Sequence, residues 1–238
     1  HHEMKITMAD VIYSIYQTFD LTYDSDKSKI EVSIATTSRP YLDTFRGFRI
    51  VNSTSIEVYV DYWHFIPNYI AEYSNVVGLS MPWEILLSMD TLVFEKRRAA
   101  YSDTASEKFQ VPWLSLVMDK DSRLIRTTLK ELLSKEFLPE DIFKVGGRLL
   151  ASREEASERY NASLTWFDKY GMMVISNGPF KLVKFDPPSQ YAELEAFRDS
   201  TYPFKPGQWY FGKPASIQIV AIKDGRIALG SEAIFKVD

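Results

Sequence analysis

The sequence predicts an α/β domain of the mixed α+β kind, and three patterns predict it. Apolar residues recur at helical spacing over residues 82–99, 121–137 and 152–170. Ile56, Val58 and Val60 alternate with Glu57, Tyr59 and Asp61, so one strand face is buried and the other wet. Residues 180–185 and 191–197 read as two strands joined by Asp186-Pro187-Pro188-Ser189, where proline fixes φ and Asp and Ser bond back to the nearby backbone.

Taken in order, Thr7 is placed to cap a first helix, with Asp10 favourable near its positive end and Val11, Ile12, Ile15, Tyr16 and Phe19 as its buried stripe. Asp24-Ser25-Asp26-Lys27-Ser28-Lys29 is a solvated break. A second helix is expected over 29–36, with a break at Arg39-Pro40 because the proline ring disfavours helical geometry in the residue before it. Residues 45–51 and 56–62 form a hairpin about Asn52-Ser53-Thr54-Ser55, and 67–73 a short helix that tolerates Pro67 in its first turn. The helix over 82–99 buries Ile85, Leu86, Met89, Leu92 and Val93. It closes on Lys96, Arg97 and Arg98, cations that suit the negative end of the dipole. Residues 101–111 are expected to be a loop. Leu124, Ile125, Thr128, Leu129, Leu132 and Leu133 hold the period of the most regular helix, 121–137. Residues 139–144 make one short turn, and Gly146-Gly147 a flexible joint, the best candidate for a boundary within a single domain over 3–238.

Ser152 and Glu155 have capping-box spacing, and Ala156, Tyr160, Leu164 and Phe167 form the apolar stripe of the helix that follows. Gly171 stands where a helix end favours a left-handed residue. The continuous apolar run 172–175 reads as a strand buried on both faces, followed by a tight turn at Asn177-Gly178-Pro179. Residues 201–214 are an irregular loop rich in Tyr, Phe and Trp. Residues 216–222 and 227–229 flank the Asp224-Gly225 hairpin turn, and 233–237 close the chain as a short strand.

Composition bounds the function. A net charge of −4 over 238 residues gives no electrostatic case for nucleic acid or an anionic membrane surface. With no cysteine there are no disulfides, thiolate nucleophiles or thiolate-held metals. No stretch approaches the roughly 18 apolar residues of a membrane span. His1 and His2 read as the remnant of an affinity tag.

Constellations for catalysis are sparse. His64 is the one histidine outside the tag-like start, too few for a triad or a two-histidine metal site, and it reads as a structural or surface residue. Asp119/Asp121, Glu154/Glu155 and Glu193/Glu195 are the carboxylate pairs a glycosidase-like hydrolase would need, and each also reads as ordinary helix-start or strand-face charge. There is no phosphate loop and no G-x-G-x-x-G. Residues 24–28 lack the glycine and distal glutamate of a calcium loop. No cofactor or metal is expected. Asn52-Ser53-Thr54 and Asn161-Ala162-Ser163 are formal glycosylation triplets.

Aromatics make up 14% of the chain. Tyr62, Trp63, Trp83 and Trp113 are the candidate ligand contacts, because a receptor for extended peptides or sugars needs broad rigid faces with a polar edge. Core packing is the competing reading for each ring. The expectation is that at least one of the three tryptophans faces a ligand, while Trp166 belongs to the core.

Two segments carry a resemblance. Asn177-Gly178-Pro179-Phe180, with its Trp166…Tyr170-Gly171 lead-in and its Phe197-Arg198-Asp199…Tyr202-Pro203 tail, resembles the (T/N)GP(F/Y) segment of extracellular solute-binding protein family 5, the peptide receptors of ABC transporters, archaeal members especially. Thr7-Met8-Ala9-Asp10-Val11-Ile12-Tyr13-Ser14 resembles the T-A-x-D-V-x-Y-S helix opening of the same family, and the two stand in the family's order. The resemblance implies a periplasmic-binding-protein-like lobe, a mixed sheet with flanking helices cut from a two-lobed receptor. It also implies a monomer, outside the cell or attached to its surface, that holds a peptide or oligosaccharide-like solute and docks on ABC permease subunits. The family's segment before the first helix is missing, as is most of what should follow NGPF, so the chain looks like a piece of a longer exported protein. A carboxylate-pair hydrolase and a cell-surface domain without a small ligand are the alternatives.

Overall fold

A computed structural model describes residues 2–79, 81–200, 204–205 and 207–208, and the chain divides into two units, His1–Asp199 and Ser200–Asp238. The division falls after Asp199, not at Gly146-Gly147, which form the tight turn of a small hairpin with both glycines at positive φ.

Helix α1 (Met8–Tyr23) starts at Thr7, whose backbone N–H donates to Asp10 Oδ2 at 2.8 Å. Two short-range helices follow, α2 (Lys27–Ile30) and α3 (Val32–Leu42). Helix α3 runs through Pro40, where the sequence predicts a break. The ring sits in the last turn, so the helix forfeits one late bond while Ala35 and Leu42 stay buried on either side of it. Strands β1 (Phe45–Asn52) and β2 (Ser55–Val60) pair antiparallel as expected, and α4 (Pro67–Tyr73) matches its predicted span.

The helix expected over 82–99 is shorter. Helix α5 (Trp83–Asp90) passes into a π-helical segment, Thr91–Glu95, in which the Lys96 N–H reaches the Thr91 carbonyl at 2.9 Å. Arg97 then turns to φ 54° and the chain leaves the helix. Residues 101–111 are not a loop. They contain α6 (Asp103–Phe109), started by the Ser102 hydroxyl, which accepts from the Ala105 N–H at 3.2 Å, and stopped by Gln110 in the left-handed region. Helix α7 (Asp119–Ser134) and the turn α8 (Glu140–Phe143) follow the predicted pattern and lead to β3 (Lys144–Val145) and β4 (Arg148–Leu149).

Helix α9 (Arg153–Tyr170) has the predicted ends: the Ser152 hydroxyl accepts from the Glu155 N–H, and Gly171 takes φ 71°. Met172, Met173 and Ile175 are buried as expected, but residues 172–175 form no strand. The Met173 N–H bonds to the Leu116 carbonyl at 3.0 Å, a single link to a loop where a ladder would need a neighbouring strand. Strands β5 (Phe180–Asp186) and β6 (Tyr191–Ala196) form the predicted hairpin.

The fold is therefore mixed α+β, while the expected mixed sheet is absent among the described residues. Among the described residues the strands form three separate two-stranded antiparallel sheets, each a local hairpin. Parallel pairing needs a crossover that returns to a neighbouring strand, and here the helices pack on one another instead. Helix α1 sits between two cores. One face carries Ala9 and Tyr13 into a helical core with α5, α7 and α9. The other carries Met8, Ile12 and Ile15 against Leu42, Val76 and the apolar face of the β1–β2 hairpin.

In the second unit, Gly207 at φ 83° lets the Gln208 N–H return to the Lys205 carbonyl. The hairpin over 216–229, the strand over 233–237, Trp209 and most of the 201–214 loop lie outside the described residues.

Candidate functional site

The connection between β2 and α4, exposed over most of its length, gathers aromatic rings. Tyr62 stacks on Tyr73 with centroids 3.6 Å apart and planes within 6°, and Tyr73 in turn meets Tyr41 at 4.8 Å. His64 continues the series, 6.5 Å from Tyr62, 4.4 Å from Phe65 and 4.6 Å from Tyr69. The Ile66 N–H donates to His64 Nδ1 at 3.0 Å, so the neutral ring carries its proton on Nε2. Trp63 projects into solvent, 78% exposed, and Phe65, stacked on His64 by one face, is 75% exposed. A row of flat faces edged by phenol and imidazole polar atoms is suited to hold an apolar or ring-shaped group.

The four predicted contacts do not come together. Tyr62 and Trp63 belong to this row. Trp113 lies elsewhere on the surface, 61% exposed, with its Nε1–H donating to the Tyr101 carbonyl at 2.9 Å. Trp83 is a correction: it is fully buried, edge-on to Phe143 at 5.0 Å and Tyr160 at 5.8 Å, and touches no solvent. It opens α5 where that helix meets α1 and α9, so packing takes the whole indole. Trp166 is buried, as expected.

No protein-family model and no curated protein matches the chain.

Asp10 and Glu155, legible in the sequence only as helix-start charges, join Glu84 and Arg159 in a buried cluster. Asp10 caps its own helix and also accepts the first N–H of α5, Trp83 N, at 3.1 Å. Arg159 then bridges both its oxygens, Nη1 to Oδ1 at 3.2 Å and Nη2 to Oδ2 at 3.0 Å. The same guanidinium reaches Glu84 Oε2 at 3.4 Å, Glu155 Oε1 at 3.2 Å and the Lys5 carbonyl at 2.7 Å. Glu84 also accepts from the Ser163 hydroxyl, and its Oε1 lies 2.8 Å from His2 Nε2. The His2 side chain is buried, 4% exposed.

Burial opposes the charged form of Glu84, but the His2 hydrogen bond and the Arg159 charge outweigh it and hold the carboxyl below its ordinary range. Burial likewise disfavours the Arg159 cation, and Asp10 and Glu84 more than compensate. Glu84 inside an apolar helix and Arg159 beside the Ala156–Tyr160 stripe were the visible signs, since a charge on a buried face needs a partner. The arrangement joins the starts of α1 and α5 to the middle of α9 and works as a structural hub.

Asp90 forms a second buried centre, accepting from Tyr13 at 2.7 Å, Tyr101 at 2.6 Å and Gln17 at 2.8 Å. Burial raises its carboxyl above the ordinary value despite these donors. The predicted carboxylate pairs have separate partners. Asp119 pairs with Arg123 in solvent, while buried Asp121 accepts the Ser115 N–H. Glu155 serves Arg159, Glu193 takes Tyr191 and Glu195 takes Lys181. Among the described residues no group of three His, Asp or Glu is placed to hold a metal ion, and no helix is long and apolar enough to cross a membrane.

Proposed function

We propose that the chain is a solute-binding segment of an ABC importer's receptor, capturing a peptide or similar small solute outside the cell and presenting it to permease subunits. One observation carries the reading on the structural side: the row of rings from Tyr41 through Tyr73 and Tyr62 to His64, with Trp63 and Phe65 open to solvent. Capture and release of an unchanged solute needs shape and rigid faces more than a tuned acid or nucleophile. The two family-like segments support it from the sequence side. The first contributes Asp10 to the hub. In the second, the Asn177 carboxamide donates to the Leu79 carbonyl at 3.2 Å and the Phe197 N–H closes on the Pro179 carbonyl at 2.8 Å.

The test is calorimetry of the full chain against short peptides, with maltooligosaccharides as the second ligand class. Peptide binding that is weakened in Trp63→Ala supports the reading. Absence of binding to either class, or affinity unchanged by Trp63→Ala and Tyr62→Ala together, removes this surface from the site.

A further inference from the structure

We propose that Asn52 is an acceptor for an N-linked glycan and that Asn161, which begins the same kind of triplet, is not. Glycan transfer joins the asparagine Nδ2 to the anomeric carbon of a lipid-pyrophosphate-linked oligosaccharide. One N–C bond forms, the C–O bond to the lipid pyrophosphate breaks, and Nδ2 gives up one proton. The reaction requires a free carboxamide nitrogen and a hydroxyl two residues on, both reachable in a backbone that turns.

Asn52 meets each requirement. It is the last residue of β1, paired with Ser55 across the two-residue turn Ser53–Thr54, and all four residues are exposed. Its Oδ1 accepts from the Thr54 N–H at 2.9 Å and the Thr54 hydroxyl at 3.0 Å, which sets the carboxamide and the hydroxyl side by side on the solvent face. Its Nδ2 makes no hydrogen bond among the described residues. The apolar contacts of this hairpin involve Phe48, Ile50, Ile56 and Val58. A sugar on the turn displaces none of them.

Asn161 fails on each count. It lies inside α9, and its Nδ2 donates to the Ser157 carbonyl at 2.9 Å. Ser163, which would supply the hydroxyl, is fully buried and donates to Glu84 Oε1 at 3.1 Å. Presenting this triplet means unwinding α9 and detaching Ser163 from the charged hub.

The experiment is glycosylation of the purified, folded full chain by a single-subunit oligosaccharyltransferase with its lipid-linked donor, read by intact mass and peptide mapping. The expected result is a gain of one glycan, on the Asn52 peptide alone. Thr54→Ala should lose it and Thr54→Ser retain it, while chain unfolded in urea and diluted into the reaction should gain a second glycan at Asn161. Asn52 left bare while a synthetic peptide of residues 49–57 is modified would overturn the proposal, as would equal modification of Asn161 in the folded chain. In the cell the modification rests on the export reading above. The purified reaction does not, so failure of one leaves the other standing.

Discussion

Arg159 and Asp10 are 149 positions apart in the chain and joined by two hydrogen bonds of 3.0 and 3.2 Å in the fold. The pair is buried on both sides, and Asp10 also holds the first N–H of α5. Removing one member of a buried pair strands the other, which costs about 3–5 kcal/mol. Arg159→Met leaves both Asp10 and Glu84 without their cation. Urea unfolding should show a loss of about 3 kcal/mol or more relative to wild type. A loss below about 1 kcal/mol would mean that the hub is not a principal tie between α1, α5 and α9.

Glu84 predicts an acid-sensitive limb. Its folded carboxyl is held below the unfolded value of 4.5, with burial outweighed by His2 and Arg159. A depressed folded value contributes stability above the unfolded value and loses it as pH falls through the folded one. Glu84→Gln should therefore flatten the decline in urea midpoint as pH falls below about 4.5. An unchanged slope in the variant assigns the acid limb to other carboxylates.

Asp90 works in the opposite sense. Burial lifts its folded carboxyl above 3.8, so the native state holds that proton more tightly than the unfolded chain. The native state then binds more protons in this window, and stability falls as pH rises from about 3.8 through the folded value. The advantage of wild type over Asp90→Asn should shrink across that rise in a thermal-melt series. A gap that stays constant or widens with pH would show that Asp90 is not the group titrating.

The tryptophans should separate by burial. Trp83→Ala opens a void in the helical core and should destabilise by about 3–5 kcal/mol. Trp63→Ala and Trp113→Ala should stay within about 0.5 kcal/mol of wild type. Trp63→Ala should nonetheless weaken solute binding by about 0.5–1.5 kcal/mol, up to roughly tenfold in Kd. Comparable destabilisation by Trp63→Ala would place that ring in the core and end its candidacy.

Gly171 tests the end of α9. A Cβ there meets no atom within 4 Å, so the cost of Gly171→Ala is the left-handed backbone alone. That cost is about 1–2 kcal/mol, read as a lower melting temperature.

Several elements are legible in a few neighbouring residues. Ser152 and Gly171 bound α9 because a cap needs only its own turn. Asn52 and Ser55 close the first hairpin, and Pro67 opens α4, for equally local reasons. Helix α6 is not legible from its cap Ser102 alone, because its supporting partner is remote: buried Glu31 accepts the Tyr101 and Ser102 N–H groups and the Ser102 hydroxyl. Residues 172–175 were legible as buried and not as unpaired, since a ladder depends on whether another strand arrives.

By itself, then, the sequence determined the caps, the hairpin turns, the apolar stripes and the mixed α+β class, all set by backbone bonding and periodicity within a turn or two. Only the tertiary structure decided that Trp83 is core while Trp63 faces water, and that His2, Asp10, Glu84 and Arg159 share one buried site. Burial is a property of everything packed around a residue. Desolvating a charge is tolerable only when its partner, however distant in sequence, arrives at the same point.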